Sequence, residues 1–126
     1  MSVNYKSLQR RNPADPAATP MYYVSIVNKG ITDLNKLSQL LADGSTTRKA
    51  DVYAVLVGLV EEIKKELSEG RMVKLGDLGS FGVGVNSFGA STPDEVNATL
   101  IKRRKIVYRT SAELKTMLGS LKFHKV

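Results

Sequence analysis

Leu75-Gly76-Asp77-Leu78-Gly79-Ser80-Phe81-Gly82-Val83-Gly84-Val85 switches the chain from helical periodicity to a period of two, and the fold class follows from that switch. Met72-Val73-Lys74-Leu75 reads as a strand, Gly76 to Gly79 as a turn, and Phe81, Val83 and Val85 as one face of a second strand. Gly82 and Gly84 occupy the other face. Glycine weakens a strand, so two on one face mark a bend or a surface that another backbone approaches closely. No Lys-Ser/Thr pair follows Gly76-x-x-Gly79, so this is a turn and not a phosphate loop.

Two helices are expected before this stretch. Thr32 is positioned to cap the first, whose Leu34, Leu37, Leu40 and Leu41 form one stripe ending near Gly44. The second starts near Thr46 or Thr47, carries Val52, Val55, Leu56, Leu59, Val60, Ile63 and Leu67 at steps of three and four, and ends at Glu69-Gly70. Its middle, Ala54-Val55-Leu56-Val57-Gly58-Leu59-Val60, has no polar side chain. A helix that is apolar all round must be covered all round, and a second copy of the chain is the economical cover. Ala54 and Gly58, four apart, permit close approach there, and Val55, Val57, Leu59 and Phe81 complete the expected dimer interface. Glu61, Glu62, Glu66 and Glu69 with Lys64 and Lys65 read as a solvated helix face rather than paired catalytic carboxylates.

On the C-terminal side, Thr92-Pro93-Asp94-Glu95 has the form of a capping box opening a short helix to about Leu100. Ile101 to Arg109 reads as a basic strand, and Thr110-Ser111-Ala112-Glu113 as a second capping box before a helix through Leu114, Met117 and Leu118. At the other end, Val3 to Leu8 and Tyr23 to Val27 read as strands. The loop between them, Arg11 to Pro20, holds three of the four prolines and fits neither helix nor central strand. The expected organisation is an N-terminal β extension over residues 1–30 with a proline-rich loop, then a second domain over 31–126.

The 126 residues carry 19 Lys and Arg against 12 Asp and Glu, for a net charge of +7. The excess is uneven: residues 1–30 carry +3, residues 31–70 carry −2 and residues 71–126 carry +6. Such a balance points to a polyanionic partner. There is no cysteine, hence no disulfide and no thiolate chemistry, and a reducing compartment is the simple expectation. The single histidine, His124, leaves no basis for a zinc site or a histidine-dependent triad. No membrane span or signal sequence is evident. The expectations are therefore a cytoplasmic protein, no enzyme, with no cofactor, no metal and no small-molecule substrate.

Over about Ile31 to Leu118 the chain resembles the HU/IHF family of bacterial histone-like DNA-binding proteins. Leu75 to Val83 is similar to that family's strand–turn–strand motif, with Leu78 at its aromatic position. Ile106-Val107-Tyr108-Arg109-Thr110-Ser111-Ala112-Glu113-Leu114 is similar to its passage from arm to C-terminal helix. The two motifs also lie at the family's separation. The resemblance implies an α+β fold and an intertwined dimer. A helical pair, a three-stranded antiparallel β-saddle and a C-terminal helix would form each subunit, here with the added N-terminal β extension. It further implies two β-ribbon arms that enter the DNA minor groove, each with a proline able to wedge between base steps. Where the family places an Arg-Asn-Pro tip, this chain has Asn86 to Val96, with two acids and no base. Arg11-Asn12-Pro13 occurs instead in the N-terminal loop. The chain looks like an N-terminally extended, Bacteroides-like branch.

The candidate phosphate contacts are Lys102, Arg103, Arg104 and Lys105, with Arg71 and Lys74 beside the first saddle strand, Arg48 and Lys49 at the start of the second helix, and Arg10 and Arg11 in the loop. Alternation puts Arg103 and Lys105 on one face of the basic strand and Lys102 and Arg104 on the other, so one pair is expected to dominate. The competing reading of this strand is a solvated edge that blocks association. The function expected from the resemblance and the basic strand is non-sequence-specific, or weakly specific, architectural binding of duplex DNA in the bacterial nucleoid by a homodimer, with RNA open as a partner. The alternative is a protein-interaction module on the same scaffold, without the DNA-bending arm. The acidic Thr92–Val96 segment favours that alternative, because phosphate would repel it.

Overall fold

A computed structural model describes residues 1–126, as two compact units: Met1–Thr32 with Met117–Val126, and Asp33–Thr116. The first unit holds β1 (Val3–Arg10), β2 (Met21–Val27) and β6 (Phe123–Lys125) in a sheet of order β2-β1-β6. β1 and β2 run antiparallel from Asn4 opposite Val27 to Arg10 opposite Met21, and β6 lies parallel to the start of β1. The sequence left β6 unassigned. Three residues are too few to show a period, and what makes them a strand is their pairing with β1. The units divide after Thr32, and Met117–Val126 group with the N-terminal unit, where Phe123–Lys125 form its third strand.

The second unit is mixed α+β. α1 (Leu34–Asp43) and α2 (Lys49–Ser68) pack together, and β3 (Val73–Lys74), β4 (Ser80–Ser87) and β5 (Ile101–Arg109) form an antiparallel sheet of order β3-β4-β5. α3 (Ala112–Gly119) follows. Neither unit buries a hydrophobic side chain; the buried residues are Ser38 and Gly79. On α2, Val52, Leu56, Ile63 and Leu67 are half-buried. Val55 remains 71% exposed.

Several helix boundaries differ from expectation, each for a local reason. Asp33, not Thr32, caps α1: its carboxylate accepts from the Lys36 N–H at 2.8 Å. α2 begins at Lys49 rather than Thr46 or Thr47, because Ser45 Oγ accepts from the Thr47 N–H and turns the chain first. Arg48 takes the capping position without a side-chain bond. α2 ends in a Schellman motif. Gly70 adopts φ +81°, the Gly70 N–H donates to Leu67 O and the Arg71 N–H to Glu66 O. α3 is capped by Ser111, not Thr110, through the Leu114 N–H at 3.1 Å.

The helix expected from Thr92 to Leu100 is absent. Two 3-10 turns, Pro93–Glu95 and Ala98–Leu100, stand in its place, separated by extended Val96 and Asn97. Thr92 makes no capping bond, and Glu95 reaches back to the Ser91 N–H. Asn97 accepts from the Thr99 N–H at 2.9 Å, which offers the backbone a local alternative to a helix. A nine-residue segment has too little propagation to overcome that competition.

Candidate nucleic-acid interface

The cross-strand register sorts the cations of β5. Phe81 stands opposite Tyr108, Val83 opposite Ile106 and Val85 opposite Arg104. These residues share one face, and the Phe81 and Tyr108 rings lie 5.1 Å apart at 52°. On the other face Gly82 opposes Val107, Gly84 opposes Lys105, Asn86 opposes Arg103 and Ser80 opposes Arg109. Lys74 of β3 pairs with Ser80 and joins this second face. Arg103, Lys105, Arg109 and Lys74 therefore line one surface, and none takes part in an ion pair.

The small residues of β4 keep that surface low. A Cβ on Gly84 would come 3.1 Å from Lys105 Cε and 2.9 Å from Val107 Cγ2, so the Lys105 stem lies across the glycine. The backbone approach expected at these glycines is not what fills the space: at Gly84 the neighbours are side chains of β5, and a Cβ on Gly82 would meet nothing within 4 Å. At one end of the face Lys74, Ser80 and Arg109 line a hollow of about 210 Å³ with the Gly76–Gly79 turn. Two cations around a hydroxyl and backbone turn are able to hold a phosphate oxygen. Arg109 was not singled out from the sequence. The alternation 103, 105, 107, 109 along the strand was the signal that pointed to it.

Lys102 and Arg104 are placed differently. Between Asn86 and Ser87 the register shifts by one residue, leaving Lys102 as the extra residue of a bulge, and its Nζ lies 5.2 Å from the Phe88 ring centroid. Arg104 stands among Val83, Val85 and Ile106 on the apolar face. Arg71 pairs with Glu66 at 3.1 Å, which neutralises part of its charge. Arg48 and Lys49 are exposed at the start of α2, and Arg10 and Arg11 at the end of β1 in the other unit.

Of the expected interface residues, Ala54, Val55, Val57, Gly58 and Leu59 lie exposed on α2, and a Cβ at Gly58 would touch nothing. Phe81 is half-covered by Tyr108. No helix is long and apolar enough to cross a membrane, and no group of three His, Cys, Asp or Glu side chains is placed to hold a metal ion.

Residues 1–125 match the model of the HU-HIG family, described as an HU domain fused to a wHTH, Ig or glycine-rich motif. A solved structure of a candidate bacterial DNA-binding protein from Bacteroides vulgatus ATCC 8482 is similar in fold, with a TM-score of 0.66 at 11% identity. The similarity covers 98% of this chain and 48% of that one, so the present chain spans about half the length of its structural relative. No curated protein sequence matches it. With two helices, three strands and a helix in succession over Leu34–Gly119 and a family match along nearly its whole length, the chain belongs to the HU-HIG family of HU-like domains.

Proposed function

We propose that this protein binds duplex DNA without sequence specificity, as an architectural component of the bacterial nucleoid in the cytoplasm, and that it acts as a homodimer. The observation that carries this reading is the alignment of Lys74, Arg103, Lys105 and Arg109 on the glycine-bearing face of β3-β4-β5. Phosphates neutralised by such a row release counterions, and the gain is independent of base sequence. The likeness to a Bacteroides vulgatus chain described as a candidate DNA-binding protein supports both the function and the N-terminally extended branch.

The homodimer is supported by what the single chain leaves uncovered. Val55 and Val60 on α2 and Val83 and Ile106 on the apolar sheet face are all more than half exposed. Their burial against a second copy would form the core that the second unit lacks, in the intertwined arrangement expected of HU-like saddles. The chemistry requires no cofactor, metal or catalytic group. The ribbon tip makes no contribution to this reading, since residues 88–100 offer Asp94 and Glu95 and no base.

A salt series on random duplex DNA tests the proposal. Affinity should fall linearly with log salt at about −0.9 per phosphate contacted, for roughly four to eight contacts per dimer. Arg103→Ala/Lys105→Ala should reduce the slope by about two to four units, equally on AT-rich and GC-rich duplexes. Lys102→Ala/Arg104→Ala, which alters the bulge and the apolar face, should change it by less than about one. Failure of the parent to bind duplex at ~50 mM salt would replace this reading with a protein-interaction module.

A further inference from the structure

Outside the HU-like unit, the β2-β1-β6 unit carries Lys6, Arg10, Arg11, Lys29, Lys122 and Lys125 against the single acid Asp15, a net of +5 with His124 neutral. At the loop end of this unit, guanidinium groups lie beside an aromatic ring. Where β1 ends and β2 begins, Arg10, Arg11, Asn12, Thr19, Met21 and Tyr23 line a cleft of about 540 Å³. That volume falls within the roughly 300–1,000 Å³ of small-ligand sites. Leu8, Arg10, Met21 and Tyr23 share one sheet face by register, and the Arg10 guanidinium stands 5.9 Å from the centre of the Tyr23 ring. Tyr23 is 50% exposed.

The loop forming the rest of the cleft is ordered in advance. The Ala14 N–H donates to Asn12 Oδ1 at 3.0 Å, the Asp15 N–H to Asn12 O at 3.1 Å, and the Ala18 N–H to Asp15 O at 3.1 Å. Pro13, Pro16 and Pro20 restrict it further, so a ligand meets a surface with little ordering entropy left to lose. The Asn12 amide nitrogen has no intramolecular partner, and neither Arg10 nor Arg11 is in an ion pair.

We propose that this cleft binds an unstacked nucleotide of single-stranded nucleic acid. The base lies against Tyr23 and Met21, its phosphate is held by Arg10 and Arg11, and the Asn12 amide donates to the base edge. A duplex keeps its bases stacked inside and offers a protein its phosphates and groove edges rather than a free base face. A concave site that combines an aromatic ring, two guanidiniums and a free amide matches a splayed nucleotide instead. The site belongs to the β2-β1-β6 unit, and the proposal does not rest on duplex binding by the cationic face of β3-β4-β5.

The test is fluorescence anisotropy with a labelled pyrimidine oligonucleotide, as DNA and as RNA, beside a duplex of the same sequence. Tyr23→Ala should lose about tenfold in single-strand affinity, as removal of one stacking platform does, with duplex affinity held within about twofold. Tyr23→Phe keeps the ring and should bind like the parent. Arg10→Gln/Arg11→Gln should lower the single-strand salt slope by about one unit or more, at about 0.7 per phosphate contact. Arg103→Ala/Lys105→Ala should lose duplex binding yet keep the single strand. A parent that binds single strands but not duplex ends the architectural reading and leaves this one standing. Single-strand binding that survives Tyr23→Ala within about twofold, or is absent from the parent at ~50 mM salt, overturns the proposal. Preference for the DNA or the RNA strand identifies the source of the nucleotide.

Discussion

Gly79 lies so close beneath Tyr108 that a Cβ on the glycine would stand 2.9 Å from both the ring Cε1 and the hydroxyl. The same Tyr108 hydroxyl donates to Leu78 O at 2.6 Å, and Ser111 Oγ donates to Asp77 O. The turn before β4 is thus clasped by two side chains from the junction of β5 and α3, thirty and thirty-four positions along the chain. The two segments that carry the HU-like resemblance, Leu75–Val83 and Ile106–Leu114, are in contact through these bonds. That clasp orients the end of the cationic face where Lys74 and Arg109 meet.

Gly79→Ala should be strongly destabilising. The added Cβ would clash with Arg109 O, and the residue would have to hold φ +122°. Strain and overpacking together should cost roughly 2–4 kcal/mol in urea unfolding. A loss below about 0.5 kcal/mol, the range of an ordinary surface change, would show that the turn shifts freely.

Ser111→Ala removes both the cap of α3 and the bond to the Asp77 carbonyl. A cost of about 1–2 kcal/mol is expected, with duplex affinity weakened only as far as the turn loosens. Thr110→Ala, one residue earlier, should be close to neutral by the same thermal or urea measurement, because Thr110 does not cap the helix.

Val55→Glu separates a lone chain from a dimer. With 71% of the residue exposed in the single chain, a monomer should tolerate the charge within about 0.5 kcal/mol. In a dimer whose core α2 completes, burying the carboxylate should cost several kcal/mol and dissociate or unfold the protein. Val57→Glu should act in the same direction. Sedimentation of folded, dimeric Val55→Glu would remove α2 from the interface.

Pro93→Ala should leave duplex affinity within about twofold, since Pro93 starts a 3-10 turn and wedges into nothing in this reading. A tenfold loss with an intact circular dichroism spectrum would restore an intercalating arm.

The sequence by itself determined the order of the main elements, because periods of two and of about 3.6 survive in Phe81-x-Val83-x-Val85 and in the leucine stripe of α1. It also separated Arg103 and Lys105 from Lys102 and Arg104, since alternation along one strand is a local property. Only the tertiary structure decided which pair shares a face with Lys74 and Arg109, because that depends on the register of β5 against β4 and β3. The caps moved to Asp33 and Ser111 because a cap goes to the side chain whose oxygen meets the N–H three residues on, and several neighbouring residues have the right chemistry. β6 exists through its pairing with β1 across more than a hundred residues, and no periodicity within three residues can announce a partner that distant. Local repetition is written along the chain, whereas registers, clasps and edge pairings are relations between segments and arise only when the chain brings those segments together.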